Sequence, residues 1–114
     1  SDSSWQVTGY NNGAEALVSL MTDTTISLQF SATGTVSGRA GCNTFTGTYT
    51  STDGTVTITG LASTQIMCIK PEGIMDQEAQ FVAALQKATV YSIENGALVM
   101  RDDSGAMQVT AQRE

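Results

Sequence analysis

Cys42 stands in GRAGCNTFTGTY, residues 38–49, with Asn43 immediately after it, and Cys68 stands in STQIMCIKP, residues 63–71. They are the only two cysteines in the chain. Zinc takes four protein ligands in a structural site, usually with CxxC-type spacing, and two well-separated cysteines do not supply them. A redox CxxC is also absent. A lone nucleophilic cysteine needs a base, and the chain contains no histidine. The same absence removes Ser-His pairs, the usual general base and the commonest zinc ligand. What remains for the pair is two buried thiols or one disulfide.

Other chemistry-bearing residues offer weaker signals. Asn43 could face a ligand, or its amide could satisfy backbone groups of a tight turn among the glycines. Those glycines form neither GxGxxG nor GxxxxGK[ST], so they suggest a bulge or a close backbone approach, not a phosphate loop. Tyr49 could line a pocket or sit in the core with its hydroxyl at the rim. Met67, Met75, Met100 and Met107 could line an adaptable surface or fill an irregular core. Glu78 reads as a first-turn acid of a helix, with a buried acid as the alternative. Asp102 and Asp103 before Ser104-Gly105 faintly suggest calcium, but EF-hand spacing is missing and a solvated turn is expected. Asp23 and Asp53 also fall beside turns or on solvent faces, and Lys70 and Lys87 flank the helical segment. No Ser or Thr has an identifiable activating base, so no catalytic residue and no metal or cofactor site is expected. A paired-carboxylate hydrolase is the strongest catalytic option left.

The elements that position these residues are mostly strands. In TTISLQF, Ile26, Leu28 and Phe30 alternate with Thr25, Ser27 and Gln29, the period-2 pattern of a half-buried strand. Trp5 and Val7 open a similar alternation. FTGTYT and TVTITG flank STDG, and TVYSIE and ALVMRD flank NG, each predicting a hairpin. A last strand, AMQVTA, follows DDSG. EALVSL reads equally as a helical turn or a strand. After Pro71 the alternation stops: Phe81, Val82 and Leu85 form one apolar stripe, predicting a helix over about residues 76–87 with Asp76 as N-cap and Lys87 in the last turn. The fold class expected is α+β, mainly β. The chain should form an antiparallel, partly open barrel or strongly curved sheet, with one helix packed across an end.

A chain of 114 residues is enough for one domain with a modest core. With 40% hydrophobic residues, disorder is not expected. Eleven acidic against five basic side chains give a net charge of −6, which argues against nucleic acid and anionic membrane surfaces as partners. No apolar run approaches the roughly 18 residues of a membrane span, and the start, SDSSWQV, has neither a basic nor an apolar signal region. The chain is expected to be a mature product or an excised domain, monomeric in isolation, with any signal or lipid anchor upstream.

Four stretches together are recognisable. VSGRAGCNTFTGTY, LASTQIMC, EAQFVAAL and YSIENGALVM resemble the META domain family, the HslJ-like proteins. Gly38, Gly41, Cys42, Asn43, Phe45, Gly47 and Tyr49 match its first motif; Leu61, Ala62, Thr64 and Cys68 its second; Glu78, Phe81 and Leu85 its third; and Trp5 its opening tryptophan. Ile66-Met67 stands where the family more often has Met-Ala. The resemblance covers nearly the whole chain, residues 1–114. It implies that Cys42 and Cys68 are joined, and hence an oxidising compartment. It implies a partly open antiparallel barrel with a helix, in a secreted, periplasmic or lipid-anchored bacterial protein, sometimes linked to stress, with no transferable enzymatic activity. The function expected is that of a non-catalytic binding module for a protein partner or a small apolar ligand. Alternatives are a lipid-binding barrel or a protease inhibitor presenting a loop such as KPEGIMD, residues 70–76. Asn43, Phe45, Tyr49 and Met67 are the candidate motif or ligand-facing residues.

Overall fold

The structure is a computed structural model that describes residues 3–13, 16–21 and 24–114. The elements in chain order are β1 (Ser3–Asn11), β2 (Leu17–Ser19), β3 (Ser27–Phe30), β4 (Thr35–Arg39), β5 (Thr44–Thr52), β6 (Thr55–Ser63), α1 (Ile74–Lys87), β7 (Val90–Glu94), β8 (Ala97–Arg101) and β9 (Met107–Arg113). The expected class holds: an antiparallel barrel with one helix. Each strand from β3 to β9 pairs with the next, and β1 pairs with both β3 and β9, closing a ring of eight. β2 is an extra strip on the far half of β1, so EALVSL resolves as strand at Leu17–Ser19, while Glu15 and Asp23 lie outside the described residues. The opening expected in the barrel is reduced to a thin seam. β6 and β7 share one register pair, Thr55↔Val90, bracketed by Val56 N–H to Thr89 O and Tyr91 N–H to Gly54 O.

Both predicted hairpins form, and for the predicted reason. Asp53-Gly54 and Asn95-Gly96 take positive φ at both central positions, as a two-residue turn matching strand twist requires. Alternation puts Trp5, Val7, Ile26, Leu28, Val36, Phe45, Val56, Leu98, Met100, Val109 and Ala111 inside one core. Gly38 is where the barrel tightens. A Cβ there would lie 2.1 Å from Ser27 O, so β3 and β4 can approach only over a glycine.

The helix begins two residues earlier than its sequence signals suggest. Gly73, left-handed at φ 90°, is the N-cap, and Asp76 lies inside the first turn instead of capping it. A glycine cap carries no side-chain signal, which is why Asp76 looked like the boundary. Lys87 does close the last turn. Ile74, Phe81, Ala84 and Leu85 face the core, with Phe81 tilted against Phe45 at 5.8 Å between ring centres. α1 lies against β1, β6 and β9 and caps the end where β1 and β6 finish and β9 starts. Among the described residues no helix covers the opposite end.

Candidate functional site

Two places stand out, one at each end of the barrel. At the capped end, Gly41 at φ 110° turns the chain so that the N–H groups of Cys42 and Asn43 converge. Both donate to Glu78 Oε1, at 3.2 and 2.6 Å, and Asn43 Nδ2 donates to Oε2 at 2.7 Å. The Glu78 carboxylate is buried with no cationic partner among the described residues, and these N–H donors are what make its burial tolerable. Glu78 is therefore the buried acid and not a first-turn surface acid. It opens the helix's second turn and ties α1 to the Gly41–Asn43 turn.

The rest of the Asn43 amide faces the other way. Its Oδ1 accepts from Thr64 Oγ1 and from Ile66 N–H, both at 2.7 Å, and its Nδ2 also donates to Ile66 O at 2.9 Å. Every polar valence of the amide is thus engaged inside the chain. Asn43 clamps the N–H and C=O of Ile66, in the segment that runs on from β6 beside the start of β5. Two residues on, Cys68 is bonded to Cys42, with 6.1 Å between Cα atoms. Adjacent residues of one turn, Cys42 and Asn43, thereby grip both sides of Met67.

That gripped segment buries almost nothing. Ile66, Met67 and Ile69 are 60%, 75% and 81% exposed. Residues 64–69 form no helix, turn or strand pairing beyond Thr64 N–H to Thr44 O. The exposed large apolar side chains thus lie upstream of residues 70–76. In KPEGIMD, Lys70-Pro71 is a cis peptide, Glu72-Gly73 a turn, and Ile74 already helix.

At the uncapped end, side chains from β1, β3, β5, β6, β7 and β8 line an open-mouthed cavity of about 240 Å³. Trp5, Phe30, Tyr49, Tyr91, Leu98 and Met100 form its walls, and Ser3 and Ser51 contribute hydroxyls at the mouth. Phe30 and Tyr49 meet edge to face at 5.0 Å, and the Tyr49 hydroxyl donates to Ser31 O at 2.5 Å, fixing one wall. Trp5 Nε1 donates to Ser3 Oγ at 3.0 Å, and the Arg113 guanidinium sits 5.1 Å from the Trp5 ring centre. The candidate residues named from sequence are therefore not gathered in one place. Asn43, Phe45 and Met67 belong to the capped end, Phe45 in the core, while Tyr49 lines the cavity. Met100 lines it too, from the core, so the methionines divide between filling and display. Gln77, which sequence reasoning passed over, is buried in α1 and holds Met21 and Thr24, accepting from Met21 N–H at 2.7 Å and donating to Thr24 Oγ1 at 3.1 Å.

The Asp102-Asp103 pair is a solvated turn. Asp102 Oδ1 accepts from Ser104 N–H, Ser104 Oγ and Ala106 N–H, and Oδ2 from Gln108 Nε2. These bonds, the Ser104 hydroxyl foremost, hold its carboxyl below the ordinary range. Among the described residues no group of three Cys, Asp or Glu side chains gathers as a metal-binding cluster.

The model of one family, the META domain, matches residues 1–114. The chain belongs to the META domain family. The solved structures similar to this META domain bear out its fold. An NMR structure of a protein from Burkholderia xenovorans superposes with a TM-score of 0.74 at 24% identity, covering 98% of this chain and 81% of that one. A second NMR structure gives 0.69 at 20% identity over 96% and 87%. A crystal structure of a DUF4847 family protein from Bacteroides vulgatus ATCC 8482 gives 0.66 at 18% identity over 96% and 91%. No curated protein matches the chain. In this META domain no helix of the described residues is long and apolar enough to cross a membrane.

Proposed function

We propose that this META domain is a non-catalytic extracytoplasmic binding module, monomeric, whose uncapped barrel end receives a small apolar ligand. The cavity of about 240 Å³ walled by Trp5, Phe30, Tyr49 and Tyr91 carries this reading. A barrel of eight strands is wide enough to hold one small ligand when its interior is not filled by its own side chains. Here helix α1 and Phe81 fill one end, and among the described residues no helix fills the other. The volume lies below the roughly 300–1,000 Å³ of drug-sized sites, so the occupant is a single ring or a short branched chain. The Cys42–Cys68 disulfide supports the extracytoplasmic setting, since such bonds persist in oxidising compartments. The non-catalytic reading is supported by the absence of histidine from the sequence and by the engagement of Glu78 and Asn43 in structural hydrogen bonds.

Trp5, the chain's one tryptophan, reports on the site. Titration with toluene and 1-hexanol should give a saturable change in its fluorescence. Ser51→Phe, which places a ring at the mouth from an exposed position, should weaken that binding by about tenfold or more, the loss of about 1.4 kcal/mol. A response that never saturates, or that Ser51→Phe leaves unchanged, would refute the reading.

A further inference from the structure

We propose that residues Thr64–Lys70 are a substrate-like loop that docks in the active-site cleft of an extracytoplasmic endopeptidase with an apolar primary pocket, Met67 entering that pocket, so that the domain inhibits the enzyme. This activity is separate from the cavity at the other end of the barrel and does not depend on it.

Met67 is 75% exposed, yet the peptide on its N-terminal side and the residue on its C-terminal side are both fixed. Asn43 holds the Ile66 N–H and C=O together, and Cys42 holds Cys68. Glu78 in turn holds the backbone of both anchors from beneath. A loop fixed in this way has already lost the conformational freedom that binding would otherwise remove.

The backbone matches the same kind of partner. The main-chain N–H and C=O groups of Met67, Cys68 and Ile69 themselves make no hydrogen bond to another described residue. Clefts that bind extended peptides pair with such N–H and C=O groups and read the alternate side chains in pockets. A lipid surface would take the Ile66, Met67 and Ile69 side chains but leave those peptide groups unpaired in hydrocarbon. A second copy docking through the exposed Ile66, Met67 and Ile69 side chains alone would bury far less than the roughly 1,200–2,000 Å² that stable interfaces bury. A protease cleft wraps the loop on several sides. Met67 is unbranched, which suits a deep narrow pocket.

The staple also bears on the chemistry. Hydrolysis between Met67 and Cys68 would break the amide C–N bond, adding water to give a Met67 carboxylate and a Cys68 amine. Neither new end could leave. The Met67 side stays tied through Ile66 to Asn43, and the Cys68 side through its disulfide to Cys42. The cut ends stay beside each other in the cleft, which favours resealing over release.

The test uses the oxidised domain against chymotrypsin, subtilisin and trypsin with small peptide substrates. Trypsin prefers a cationic side chain where chymotrypsin has an apolar slot. The wild-type domain is expected to inhibit at least one of the first two and not trypsin. Met67→Asp should weaken that inhibition by about 100-fold, as loss of a central anchor does. Met67→Lys should move inhibition to trypsin, a transfer that only substrate-like docking produces. Because Met67 is exposed, both variants should keep the wild-type near-UV spectrum. No inhibition of any of the three enzymes by wild type together with none of trypsin by Met67→Lys would overturn the proposal. So would rapid, complete cleavage of the oxidised domain between Met67 and Cys68. Binding to phosphatidylcholine vesicles or self-association that Met67→Asp abolishes, with no protease inhibited, would likewise overturn it and assign the loop to a lipid surface or a second copy.

Discussion

Replacing Asn43 by alanine should be among the most damaging single changes available, although the side chain is small. It removes four hydrogen bonds: to Glu78 Oε2, to Ile66 O, from Ile66 N–H and from Thr64 Oγ1. Neutral bonds of this kind contribute about 1 kcal/mol net, and one to a charged acceptor about 1.5–3 kcal/mol. The plain sum is about 5 kcal/mol. Ile66 and Thr64 are exposed and regain water when the amide goes, so part of that loss is offset. Glu78 is buried and cannot recover in the same way. The expected loss is then about 3–4 kcal/mol. With a urea slope near 2 kcal/mol per M, the midpoint should fall by about 1.5–2 M. Urea unfolding followed by Trp5 fluorescence, with the disulfide intact, measures it. Asn43→Asp should do no better, because it sets a second carboxylate against Glu78. A loss under about 1 kcal/mol for Asn43→Ala would show that the amide does not hold the turn, the loop and the helix together.

Three further outcomes follow from the same structure. Phe81→Ala should lose roughly 3–5 kcal/mol in the same assay, because the ring is fully buried against Phe45; a loss under about 1 kcal/mol would mean that the helix does not plug the barrel. Gly38→Ala should prevent soluble expression or lower the melting temperature by more than 10 °C or so, since its Cβ would meet Ser27 O at 2.1 Å, whereas Gly96→Ala, with nothing within 4 Å but φ +81°, should only strain its turn. The Asp102 carboxyl is held below its ordinary value of 3.8, so the unfolded chain binds that proton more readily than the folded one; the stability it contributes is present above 3.8 and is lost as pH falls from there through the lower folded value, and melting curves of Asp102→Ala should decline less steeply over that acid range than those of wild type.

Local signals carried most of the fold. Asp53-Gly54 and Asn95-Gly96 announce their hairpins because two consecutive left-handed residues are costly for other types, and Ile26-Leu28 and Phe81-Leu85 report strand and helix through their spacing. The cysteine pairing came from the family motif, since no spacing rule would distinguish a staple from two thiols. What stayed hidden depends on distant partners. Glu78 looks like a surface acid until backbone N–H groups 35 positions upstream are brought to it. The helix start is not legible in the sequence because Gly73 caps by conformation alone. Closure of the ring rests on β1 meeting β9 from the two ends of the chain, and the cavity on aromatic side chains from separate strands. The loop at Ile66–Ile69 did carry a signal: apolar residues without strand or helix period, beside a cysteine, mark a segment that neither element can bury.

The ligand reading rests on where a small apolar molecule binds, and a ¹⁵N-resolved NMR titration of the oxidised domain with toluene locates it directly. Saturable shifts are expected at the Trp5 indole N–H and at the amides of Phe30, Tyr49, Tyr91 and Met100, with the amides of residues 64–69 unmoved. Shifts that never saturate, or that centre on the helix-capped end, would contradict the assignment of the uncapped barrel mouth as the binding site.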